Sequence, residues 1–194
     1  MTYPIVTGLS AQTDAPLAYL HIDMHLDLAD DVPGFGKLAS GTPLRRLVEG
    51  EILDPERVVI FGAESFQHRD EWEFARDSGI EVISAAAVHR QGVRDALVPA
   101  VERITKDGRG LYVSTDIDVL SRTYAPGTGN AVGISGLDPQ QLLEVARIVR
   151  RLPLVGLDLV EVSPRWDPTE RTAGIAAAYL LEILWPTMFA ESPL

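Results

Sequence analysis

Five short runs rich in β-branched and aliphatic residues, at 17–22, 57–61, 81–84, 110–114 and 154–162, alternate with segments of helical periodicity. The runs read as buried strands. The helical segments fall at 69–78, stopping before Gly79, and at 93–106, where Val93, Leu97, Val101 and Ile104 share one stripe. A third, 139–151, opens after Asp138 as N-cap with proline at the first helical position. The fourth, 170–184, is rich in alanine and leucine and is expected to stop at Pro186. Strands alternating with helices predict an α/β fold, a three-layer αβα arrangement around a mostly parallel sheet. With 194 residues, 46% of them apolar, the chain can bury one core, so residues 1–194 are expected to form a single domain.

A functional site in such a sheet lies outside the carboxyl ends of the strands. Two acidic segments stand there: Asp23, His25 and Asp27 after the first run, and Asp116 and Asp118 after the fourth. In an extended backbone, side chains two residues apart point the same way, so each set is expected to converge. Taken singly, aspartates at strand ends are commonly solvated loop ends or helix caps. The alternating set with an imidazole among the carboxylates points instead to a divalent-metal site. Its oxygen-rich ligation suits Mn²⁺-like ions, with Ni²⁺ also possible chemically. His21 is one residue too early and reads as a second-shell or packing histidine. Two irregular stretches, 29–42 and the glycine-rich 124–136, follow the acidic segments and are expected to wall the pocket.

Net charge is −11, which disfavours a nucleic acid or an anionic membrane as partner. No cysteine is present, which excludes thiolate metal sites and cysteine nucleophiles and fits a cytoplasmic location. No secretory-type leader or membrane-length apolar run is read in the sequence. Trp166 and Trp185 read as packing or interface residues, Arg45 and Arg46 as a solvated patch or subunit contact, and His68 and His89 as exposed residues without a role.

These segments resemble the ureohydrolases, the arginase and agmatinase family of dinuclear manganese hydrolases. His21-Ile-Asp-Met-His-Leu-Asp27 is similar to the family's DAHxD motif. Ser114-Thr-Asp-Ile-Asp-Val-Leu120 with Ala125-Pro-Gly-Thr-Gly129 resembles SxDIDxxDPxxAPGTG. Gly156-Leu-Asp-Leu-Val-Glu-Val-Ser-Pro164, followed by Asp167, resembles GxDxVEVxPxxD, and Gly41-Thr-Pro-Leu-Arg-Arg46 resembles the GTPFRR-type loop. The closest flavour is agmatinase or guanidinobutyrase.

The resemblance implies an arginase-like fold retaining about five strands of the family sheet. It also implies hydrolysis of a linear guanidino compound to urea and an amine by a metal-bridging hydroxide. Asp23 and Asp116 bridge two Mn²⁺ ions per subunit in that picture, Asp27 binds one, and His25 and Asp118 bind the other. Glu161 pairs with the substrate guanidinium, and Asp118 and Glu161 are the catalytic assignments. The family also implies a homo-oligomer, trimeric or hexameric.

The chain departs from the pattern in several places. The family's GGDHS segment, whose histidine completes one metal site, normally stands before a TYP-like sequence such as Thr2-Tyr-Pro4. About the first third of a ureohydrolase is therefore expected to be missing, leaving one metal site incomplete and the strand at 154–162 as an open edge. Ser40 stands where family members carry a histidine. Met24, Ser121-Arg122 and Asn130-Ala131 replace the usual alanine, DP and TP. The alternative is a truncated, weakly active or inactive ureohydrolase-like protein that keeps metal binding or an oligomerisation role. A deacetylase-like hydrolase shares the broad architecture, but the glycine-rich loop and the VEVSP segment argue against it.

Overall fold

The computed structural model describes residues 1–13, 15–64, 66–129 and 133–188, with side chains as far as 185. Five strands, β1 (Ala18–Ile22), β2 (Val58–Ala63), β3 (Glu81–Ser84), β4 (Leu111–Asp116) and β5 (Leu154–Val160), form one sheet in the order β3-β2-β1-β4-β5. All four pairings are parallel. Seven helices are described: α1 (Thr2–Ser10), α2 (Pro43–Glu49), α3 (Arg69–Ser78), α4 (Ala85–Gln91), α5 (Val93–Ile104), α6 (Pro139–Val149) and α7 (Arg171–Met188). Among the described residues, no helix is long and apolar enough to cross a membrane.

Strand alternation divides the core into two layers. On β1, Ala18, Leu20 and Ile22 face one cluster, completed by α4, α5, α6 and α7. Tyr19 faces the other, which holds Val6 of α1, Leu44 and Leu47 of α2 and Ala75 of α3. This sandwich of a parallel sheet between helices is the predicted αβα arrangement.

Local chemistry sets the helix ends. α6 opens with a capping box, Asp138 accepting from the Gln141 N–H at 2.8 Å while Gln141 Oε1 accepts from the Asp138 N–H at 2.9 Å. α3 closes on Gly79 in the left-handed region. α7 runs past Pro186 to Met188 rather than stopping there. A proline forfeits one backbone bond, and the long alanine- and leucine-rich segment before it carries the helix through.

The order reverses between β1 and β4, since β2 and β3 lie on one side of β1, and β4 and β5 on the other. A crevice therefore opens at the carboxyl ends of β1 and β4. The segments carrying Asp23 and Asp116 leave the sheet at that crevice. Gly62, at a bulge of β2, lets the two come close: a Cβ there would collide with Val119 and sit 3.3 Å from the Asp23 carbonyl. β5 forms an open edge, as expected, and is only partly buried.

Candidate functional site

The aspartates converge, but not through strand alternation. β1 ends at Ile22 and the chain bends at 23–25, with Asp23 Oδ1 accepting the His25 backbone N–H at 2.7 Å. β4 ends at Asp116 and a 3₁₀ turn follows, with Asp116 Oδ1 accepting the Asp118 N–H at 2.8 Å. The same aspartate-capped turn occurs twice, folding each second residue back over the first. The cap reading and the convergence hold together, because capping engages one oxygen of each carboxylate.

Two groups of metal-ligand type result. His21, Asp23 and Asp27 form one, and Asp23, His25 and Asp118 the other; within each, the ligand atoms lie inside 4.8 Å of one another. Asp23 belongs to both. His25 Nδ1 lies 3.2 Å from Asp23 Oδ1 and 3.3 Å from Asp118 Oδ2, while His21 Nε2 lies 3.1 Å from Asp23 Oδ2 and 3.9 Å from Asp27 Oδ2. Asp116 stands outside both triads, beside Asp23 and Asp118, whose charges act on it. His21, expected behind the ligands, is buried within the first triad.

Electrostatics describe a site that wants positive charge. Burial and the charges of Asp23 and Asp118 push Asp116 up to about 12. Burial and Asp23 push Asp27 up to about 8, and burial raises Asp118 to about 6 against the pull of His25. Burial disfavours the His25 imidazolium, yet hydrogen bonding to Asp118 and Asp23 outweighs it and raises His25 to about 11. Asp23 is held well below the usual carboxylate range, its burial overcome by His21 and His25. Protein groups alone thus keep protons on His25, Asp27 and Asp116 at neutral pH. Both oxygens of Asp118 and both ring nitrogens of His21 are buried without a well-formed hydrogen bond. Buried polar atoms left so are costly, and a carboxylate–imidazole set with spare lone pairs fits a divalent pair of the Mn²⁺ or Ni²⁺ kind.

The cluster lies in a cavity of about 970 Å³, also lined by Ser40, Gln67, His68 and Glu161. Glu161 follows β5 with φ of 65°, and Asp27 has φ of 54°, both in the left-handed region. Such backbone strain collects at functional sites. Among the described residues, neither Arg165 nor Arg171 forms an ion pair with Glu161. Arg165 lies over the Trp166 ring, and Arg171 donates to the Thr123 carbonyl. Among the described residues, no cation bonds Glu161, and its Oε2 lies 3.3 Å from where a Cβ on Gly129 would stand.

Other expectations need correction. Arg45 and Arg46 form no solvated patch. Arg45 stacks on Phe74 at 4.4 Å, and Arg46 bonds Asp30 at 2.9 Å, because both are used to tie α2 to the loop at 28–30. Trp166 and Trp185 are each more than half exposed, which removes core packing and leaves the interface reading open. His89 is exposed but holds the Ser135 carbonyl at 2.9 Å. Asn130-Ala131 lies outside the described residues.

Sequence reasoning missed a polar network beneath the cluster. Asp158 of β5 accepts from Thr2 Oγ1 at 3.0 Å, Tyr112 OH at 2.8 Å and Ser114 Oγ at 2.8 Å. Tyr19 stacks on Tyr112 at 5.9 Å and on His21 at 6.1 Å. The signal was present: Tyr19 and His21 on β1, and Tyr112 and Ser114 on β4, share one face and pair directly in register.

Fold and site together define a parallel α/β protein with an acidic, metal-competent cavity at its topological switch point. The arginase family model matches residues 1–185, and the chain belongs to that family. It is 39% identical over 187 residues to the mitochondrial guanidino acid hydrolase of Homo sapiens, covering 95% of this chain and 51% of that protein. It is also 39% identical over 193 residues to the guanidinopropionase of Pseudomonas aeruginosa, covering 99% and 58%. Among solved structures, the formimidoylglutamase of Bacillus subtilis superposes with a TM-score of 0.89 at 26% identity, covering all of this chain and 59% of that one. The chain thus spans about half the length of the curated relatives it matches.

Proposed function

We propose that the chain is an amidinohydrolase of the agmatinase type, hydrolysing a linear guanidino compound to urea and an amine with a divalent-metal pair. The observation that carries this reading is the pair of ligand triads sharing Asp23 in a cavity that Glu161 also lines. Asp23, His25, Asp27, Asp116 and Asp118 hold the cations, Mn²⁺ by preference and Ni²⁺ as the alternative. Bound there, such a pair supplies Lewis acidity and lowers the pKa of water towards neutrality.

The protein's own groups do the rest. Among the described residues no cation bonds the Glu161 carboxylate, and a planar guanidinium with parallel N–H donors is its natural partner. The overall change consumes one water. Its oxygen becomes the urea carbonyl oxygen, the C–N bond to the tail breaks, and the departing nitrogen leaves as a protonated amine. The relatives support the reaction class through the guanidino acid hydrolase and guanidinopropionase names they carry. The cysteine-free sequence suits a reducing compartment such as the cytoplasm, and the open β5 edge suits a homo-oligomer.

The test is urea release from agmatine, guanidinobutyrate and guanidinopropionate with Mn²⁺ and, separately, Ni²⁺. Turnover of any one supports the reading. No turnover by protein carrying two ions overturns it. A second reading, a metal-binding relative without turnover, is favoured by Ser40 in the cavity wall, a hydroxyl that cannot titrate near neutral pH as an imidazole can. Two tight sites in a calorimetric titration favour the enzyme, and one weak site favours this second reading.

A further inference from the structure

The chain contains four histidines. His21 and His25 stand in the carboxylate cluster, and His89 spends its ring on the Ser135 carbonyl and Gln141. His68 is the remaining one. It is exposed at the mouth of the cavity it lines. It occupies the N-cap of α3, yet its side chain makes no cap bond. Serine, threonine, aspartate or asparagine would satisfy a free backbone N–H there, so helix stability gives no reason for an imidazole.

Its neighbours hold it in place. Gln67 Nε2 donates to the Met24 carbonyl at 2.7 Å and to the Glu64 carbonyl at 3.3 Å. Glu71, one turn into α3, accepts the Leu28 N–H at 3.1 Å. Met24 and Leu28 bracket His25 and Asp27, so the segment 67–71 is clamped at both ends onto the loop that carries these groups. His68 lies inside the clamp. The charged groups beside it on α3 are Arg69, Asp70 and Glu71, and the titratable and charged groups lining the same cavity are His21, Asp23, His25, Asp27, Asp31, Arg46, Asp116 and Glu161.

We propose that His68 donates the proton taken up by the departing amine nitrogen. This rests on the hydrolysis proposed above. As the C–N bond breaks, its electron pair passes to the amine nitrogen, which takes a proton from a ring nitrogen of His68. The imidazole then recovers a proton from water at the mouth. The residues assigned to the cations are not free for this task, whereas His68 lines the same cavity with an exposed ring that water can reach.

The experiment compares the wild type with His68→Gln and His68→Ser in urea release across pH 5–9, Mn²⁺ calorimetry and thermal melting. Both variants are expected to bind Mn²⁺ as the wild type does. His68→Ser should melt no lower, since serine is the better cap. In both, kcat should fall on the order of 10²-fold with KM unchanged, and one limb of the pH profile should disappear. Added imidazole should restore part of the His68→Gln rate. A wild type that turns over while the variants keep its kcat and pH profile overturns this proposal alone, as does loss of Mn²⁺ binding or stability in the variants. A metal-loaded wild type that releases no urea overturns the hydrolysis reading, and the role of His68 falls with it.

Discussion

Asp23 belongs to both ligand triads, and one of its oxygens also takes the His25 backbone N–H. Asp23→Ala is therefore expected to remove tight Mn²⁺ binding at both positions, while Asp118→Ala should weaken one and leave the other measurable by calorimetry. Glu161 is different, since it stands apart from both triads and no cation bonds it among the described residues. Glu161→Gln should keep both metal sites but raise KM about tenfold or more, the scale of a lost charged hydrogen bond; unchanged kinetics would remove Glu161 from the site. The protonation pattern also gives metal uptake a sign. His25 at about 11, Asp27 at about 8 and Asp116 at about 12 hold protons at pH 7, and a ligand must shed its proton to bind. Mn²⁺ uptake should therefore release protons, and affinity should rise with pH, most steeply below about 8, where Asp27 is protonated too. Calorimetry in buffers of different ionisation enthalpy reads this directly; affinity independent of pH contradicts it.

Among the elements, the α6 capping box offers a prediction independent of function. Asp138→Ala loses the bond to the Gln141 N–H, costing about 1 kcal/mol and lowering the melting temperature by roughly 2–4 °C. Metal binding should be unchanged, because α6 adds no ligand. The α6 start and all five strands were legible in the sequence because each carries its own local signal. α1, α2 and α4 were not, since α1 has no side-chain cap, α2 follows a loop whose glycines and prolines mask its start, and the short α4 follows β3 directly. The site residues were legible as a set, yet the geometry joining them was misread. Alternation stops where β1 and β4 end, and aspartate-capped turns do the folding, a tertiary outcome that period-2 reasoning does not contain. The Asp158 network escaped notice because its members come from β1, β4, β5 and α1, and only the register brings them together. The open edge of β5 is the element with most to gain from a neighbour. Val155, nearly half exposed on that strand, is the position at which a lysine should blunt association. Val155→Lys should lower the sedimentation coefficient if β5 pairs in an oligomer.

For the whole molecule, the strand order places the site. Because β4 returns to the far side of β1, the sheet leaves its crevice where both acidic turns emerge, and helices α1, α2 and α3 close that side. The same arrangement gathers four carboxylates, of which Asp27 and Asp116 hold protons at neutral pH when no cation is bound. A cation that displaces those protons binds the folded chain, so metal and folding are coupled. At free Mn²⁺ about 100 times the dissociation constant, binding adds roughly 2.7 kcal/mol, a melting-temperature rise of several degrees that a chelator should reverse. The most direct test is an anomalous diffraction map from crystals grown with Mn²⁺. Two peaks flanking the Asp23 carboxylate, one towards Asp27 and one towards His25 and Asp118, are the predicted result. Peaks elsewhere, or none at these side chains, would contradict the account.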